Sequence, residues 1–155
     1  MTTRADYTDA EWKTLLMAPL SCGFAVAISD FGIVSTAIEG AAMSKELAAA
    51  TETYAGNELI QSLFKKADGT EPVKLDPAEL GNSAENATEK AAAFVAEAIK
   101  ILSEKAPSEL ADYKALCYSV SDRVANAAGS GLFGSGVKVS AKEAAVLTKL
   151  KTLLA

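Results

Sequence analysis

The chain has 155 residues, a formal net charge of −5 and no histidine, which excludes Ser-His and Cys-His catalysis together with the usual zinc and haem ligand. An acidic balance with arginine only at Arg4 and Arg123 argues against a nucleic-acid partner, which needs clustered positive charge. The length suits a single domain with its own core, and 50% hydrophobic residues with only 6% aromatics make small aliphatics, alanine above all, the material of that core.

Residues 1–7 read as a short mobile leader. Thr8 and Glu11 then stand three apart as a capping box, so a helix starts there, with Trp12, Leu15 and Leu16 on one face. Pro19 lacks the amide that would bond to the carbonyl of Leu15, and a bend or restart is expected at that point. Residues 14–43 form the most apolar stretch. No charge occurs between residues 14 and 29, Asp30 follows, and none occurs again until Glu39. Such a segment belongs in the centre of a helical bundle, as a buried apolar pair of helices broken near residues 29–32. Pro19, Ser21 and Gly23 interrupt it and no basic cluster flanks it, so a membrane span is not expected.

A further helical segment is expected over residues 44–52, then a short amphipathic turn through Leu59, Ile60, Leu63 and Phe64. Residues 68–82 form the longest polar connection, with one turn of helix at Asp76-Pro77. A long helix follows over residues 83–105, its stripe Ala87, Ala91, Val95, Ala98 and Leu102, and Pro107 separates it from the next. That next helix has the most regular spacing in the chain, through Leu110, Tyr113, Cys117, Val120, Val124 and Ala127. A Gly-rich loop over residues 129–139 leads to a second capping box, Ser140 and Glu143. It opens a final helix with Val146, Leu147, Leu150, Leu153 and Leu154 expected inward. Val137-Lys138-Val139 is a weak strand candidate. The expected fold is therefore an all-α, single-domain bundle of about five to seven helices.

Gly129-Ser130-Gly131-Leu132-Phe133-Gly134 matches G-x-G-x-x-G, but a dinucleotide site needs a strand before it and a helix directly after it, and here a helix precedes. Leu132 and Phe133 are instead candidates for core anchoring or partner contact. Asp30 and Glu39 are candidate ligands for a hard cation, although a helix cap at Asp30 and a solvated Glu39 explain them as well. Trp12, Phe24, Phe31, Phe64 and Phe94 are candidate lining for an interior pocket. Cys22 and Cys117 lie far apart in sequence, outside any C-x-x-C motif, and read as buried reduced thiols. The N-terminal residues lack the charged-then-apolar pattern of a secretion signal, so a cytoplasmic protein is expected.

The run 12–20, the junction 30–40 and the segment GSGLFGSGVKVSAKE look like a group of small bacterial helical proteins with no characterised role. The spacing of Asp30, Gly32 and Glu39 after an apolar helix resembles the TerB-like tellurite-resistance fold. That resemblance implies an all-helical architecture with acidic residues engaged in metal binding. Phe31 between Asp30 and Gly32 departs from the TerB pattern.

Three function classes follow. The favoured one is a non-enzymatic interaction or assembly protein, a homo-oligomer or the partner of another protein, using no cofactor. The others are a binder of a hydrophobic small molecule in the bundle interior and a TerB-like acidic metal-binding or stress protein.

Overall fold

A computed structural model describes residues 3–29, 35–65, 77–129 and 139–155, and the side chains of all of these but 35–40, 77, 128 and 129. After a 3-10 turn at Arg4–Asp6, the described residues form α1 (Asp9–Ser29), α2 (Ser35–Thr53), α3 (Glu58–Phe64), α4 (Pro77–Leu80), α5 (Ala84–Lys105), α6 (Leu110–Gly129) and α7 (Ala141–Leu154). No strand occurs among them. The fold is all-α, as its periodicities require.

α1 is the spine. It packs along α5 on one side and α6 on the other, and also meets α2, α4 and α7. Every residue from 17 to 23 is buried, because a helix that is apolar all round needs neighbours on every side. α1 is long and apolar enough to cross a membrane, and 67% of its most apolar stretch lies inside the protein. Its buried serines are satisfied locally: Ser21 donates to the Ala18 carbonyl at 2.9 Å and Ser29 to that of Val26 at 2.7 Å.

The helix does not restart at Pro19, since α1 runs through Pro19 as one helix. Proline leaves the Leu15 carbonyl without its amide donor, and a buried acceptor left bare costs about 1–3 kcal/mol. The hydroxyl of Tyr113 on α6 donates to that carbonyl at 2.7 Å. A donor from a second helix thus replaces the one that proline removes.

The two capping boxes form as read. Thr8 N–H donates to Glu11 at 2.7 Å and Glu11 N–H to the Thr8 hydroxyl at 3.2 Å. The Ser140 and Glu143 pair repeats this at 2.8 and 3.2 Å. On α5 the stripe Ala87, Ala91, Val95, Ala98 and Leu102 is buried, and on α6 Tyr113, Cys117, Val120 and Val124 are buried. Leu153, expected inward on α7, is a correction: it is the exposed large hydrophobe among the described residues. Leu147, Leu150 and Leu154 already supply the inward stripe, and position 153 falls about 100° away from 154 on the helix.

The helical segments expected on either side of residue 44 are one continuous helix, α2, from Ser35 to Thr53. Glu46 fixes it to α6 by accepting hydrogen bonds from Ser119 and from Nε of Arg123, the latter at 3.0 Å. Where α1 and α2 meet α6, a side chain at Gly23 would bring a Cβ within 2.8 Å of Met43 Sδ and 3.0 Å of Val120 Cγ1. Glycine is what lets these helices approach so closely.

Buried Asn57 positions α3. Its side-chain oxygen accepts from Ile60 N–H at 2.9 Å, and its amide donates to the Glu109 carbonyl and the Asp112 carboxylate, both at 3.3 Å. One residue therefore caps a helix and ties it to the start of α6. Gly81, with φ +112°, lets the chain turn from α4 into α5 where a Cβ would lie 2.8 Å from Ala87 N.

Candidate functional site

A groove of about 610 Å³ opens between α1, α4 and α5, lined by Ala10, Lys13, Thr14, Glu79, Lys90, Ala93, Phe94 and Glu97. Its α5 wall has a simple origin. Lys90, Ala93, Phe94 and Glu97 recur at helical spacing just beside the buried stripe, so they flank the α1–α5 contact. Its far wall is α4, a single turn with Leu80 sunk in the protein. Two lysines clip α4 in place: Lys13 on α1 pairs with Glu79 at 2.6 Å, and Lys90 on α5 donates to the Ala78 carbonyl at 2.9 Å. The Lys13–Glu79 pair is largely solvated, with side chains 58% and 39% exposed, so it orients more than it stabilises.

The groove combines a hydrocarbon surface with charge of both signs. Ala10, Ala93 and the Phe94 ring offer apolar contact, while two lysines and two glutamates offer polar groups at its margins. Its volume falls within the range that holds small organic ligands.

A second cluster lies between α1 and α6. Tyr113, Cys22 and Cys117 are completely buried there, both cysteines as free thiols. Burial pushes the Tyr113 hydroxyl well above its ordinary range, with the neighbouring thiols adding to the effect. Burial likewise raises the Cys117 thiol, and its hydrogen bond with Cys22 raises it further. Tyr113 and Cys117 are therefore held in their neutral forms, and the tyrosine acts as a donor, not an acid.

A third cluster gathers the N-terminal turn. The Arg4 guanidinium lies 5.3 Å from the Trp12 ring centre, Trp12 lies 5.7 Å from Tyr7, and Lys105 sits 5.4 Å from the Tyr7 ring. Lys105 also reaches Glu11 at 2.8 Å. That bond, followed by the Thr8 cap, holds Glu11 down to about 2. Burial, with Glu109, Asp6 and Glu11 near by, pushes Tyr7 up to about 12. The cluster fastens the start of the chain to the end of α5.

The aromatic residues proposed as pocket lining take different places in the structure. Trp12 belongs to the N-terminal cluster, Phe24 and Phe64 pack against the core from α1 and α3, and Phe94 alone of the described four lines the groove. Phe31, Leu132, Phe133, Asp30 and the side chain of Glu39 lie outside the described residues. Among the described residues no group of three or more His, Cys, Asp or Glu could hold a metal ion. Sequence reading missed Lys13, Glu79, Lys90 and Glu97 as a set. The available signal was the Lys90, Phe94 and Glu97 spacing alongside the Ala87 to Leu102 stripe.

No protein-family model matches the chain, and searches of curated proteins and of solved structures find no match either.

Proposed function

We propose that this is a non-enzymatic binding protein that takes a small, largely apolar molecule in the groove between α1, α4 and α5. The supporting observation is the groove itself, about 610 Å³ with an apolar wall at Ala93 and Phe94 and lysines at its margin. Its ligand has a flat or branched hydrocarbon body for the Phe94 ring and a polar end within reach of Lys13 or Lys90. The α4 turn, held by two lysine contacts, is the wall that adjusts to the ligand.

The test is a fluorescence titration with 1-anilinonaphthalene-8-sulfonate, whose fused rings and sulfonate match that description. Saturable enhancement at one site is expected for the native protein. Ala93→Trp, which fills the groove from an exposed position, should abolish it while leaving the helical circular dichroism unchanged. Non-saturable enhancement, or equal binding by Ala93→Trp, would refute the assignment.

A second reading, assembly with another copy or another protein, is favoured by α7. This helix exposes Leu153 with exposed Lys149 one turn before it, in a chain of net charge −5, so that face combines an apolar residue with charge opposite to the rest of the chain. Sedimentation analysis of wild type and Leu153→Glu distinguishes the two. A dimer that dissociates in the variant supports assembly, and a monomer in both removes it.

A further inference from the structure

We propose that Cys22 and Cys117 are a disulfide-forming pair, whose two-electron oxidation covalently joins α1 to α6. The two helices run in the same direction, and two contacts bracket the cysteines. Leu15 meets Tyr113 through the 2.7 Å hydrogen bond, and Gly23 meets Val120, where an added Cβ would lie 3.0 Å from Cγ1. Cys22 precedes Gly23 by one residue and Cys117 precedes Val120 by one helical turn, so both fall in the same stretch of interface. Their thiols are neighbours there.

The helices also pack closely at this point. Around Cys22 the α1 surface is made of Ala18, Ser21, Gly23 and Ala25, all buried, and small residues draw helix axes together. A disulfide requires a Cα separation of roughly 4.4–6.8 Å, which close helix packing favours. Neither sulfur has a metal ligand set around it, since no such group of side chains exists among the described residues.

With hydrogen peroxide as oxidant the step balances. One thiol loses its proton and its sulfur attacks a peroxide oxygen, the O–O bond breaks, and a sulfenic acid and water result. The second sulfur then attacks the sulfenic sulfur, the S–O bond breaks, and a second water leaves. Two thiols are oxidised to one disulfide and the peroxide is reduced to two waters. Because both thiols are buried, oxidation proceeds through transient opening of the α1–α6 contact and is slow.

The test incubates reduced native protein with hydrogen peroxide and follows intact mass, non-reducing peptide maps and melting temperature. A monomer lighter by about 2 Da, with the peptides containing Cys22 and Cys117 linked, native helical content and a melting temperature raised in the absence of reductant, is the expected result. Two thiols still countable after denaturation would overturn the proposal. So would mass gains from oxygen at a single cysteine, or disulfides between molecules.

Discussion

The hydroxyl of Tyr113 donates 2.7 Å to the carbonyl of Leu15, the acceptor that Pro19 deprives of its amide. Tyr113 is 1% exposed and Leu15 fully buried, so water offers no substitute. Tyr113→Phe keeps the ring and leaves the carbonyl bare, and should lower unfolding stability by about 1–3 kcal/mol. Pro19→Ala returns an amide to the same carbonyl. The double variant should therefore lose less than Tyr113→Phe alone, and urea unfolding of the four proteins in the cycle measures that coupling. Additive losses would show that the two groups do not share the Leu15 acceptor.

Gly81 is the second position where backbone geometry dictates the residue. Its φ of +112° and the 2.8 Å approach of a Cβ to Ala87 N both oppose any side chain. Gly81→Ala should cost about 1–3 kcal/mol, seen as a lower melting temperature. It should also weaken probe binding in the groove, because the α4 wall is set by this turn.

Asn57 separates two roles that substitution can divide. Asn57→Ser keeps an oxygen for the Ile60 amide but loses the donor to Glu109 and Asp112. Asn57→Asp also keeps the cap, yet places a second carboxylate beside that of Asp112. At pH 7 the aspartate variant should be the less stable of the two, by about 1 kcal/mol or more. Raising salt should narrow the difference, as thermal denaturation at two ionic strengths would show.

Glu11 predicts an acid limb. Its carboxyl titrates at about 2 in the folded chain, held there first by Lys105 and then by the Thr8 cap, against an ordinary value of 4.5. A folded value below the unfolded one contributes stability that is complete above about 4.5 and is lost as pH falls toward 2. Asp6, lowered by its bonds to Thr3, acts in the same direction. Melting temperature should therefore fall between pH 5 and 2, and Glu11→Gln should flatten that fall. An unchanged slope in Glu11→Gln would mean that the Lys105 contact is not formed in solution.

The sequence by itself determined which segments are helical and which face of most of them turns inward. The signals involved are local: the Thr8–Glu11 and Ser140–Glu143 boxes, and the Ala87 to Leu102 and Tyr113 to Val124 stripes. All of them act within one or two helical turns, so they survive whatever the rest of the chain does. The burial of α1 from residue 14 onward was legible for a related reason, because an uncharged helical segment has no face to give to water. Tertiary structure alone decided that Pro19 leaves α1 unbroken, since the replacing donor comes from Tyr113 on a helix far along the chain. It likewise decided that Cys22 and Cys117 meet, that Phe94 and not Trp12 lines a groove, and that Lys13, Glu79 and Lys90 come together at α4. Those outcomes depend on the rotation and direction of one helix against another. Helix periodicity fixes which residues share a stripe, but not which stripe of a neighbouring helix it will meet.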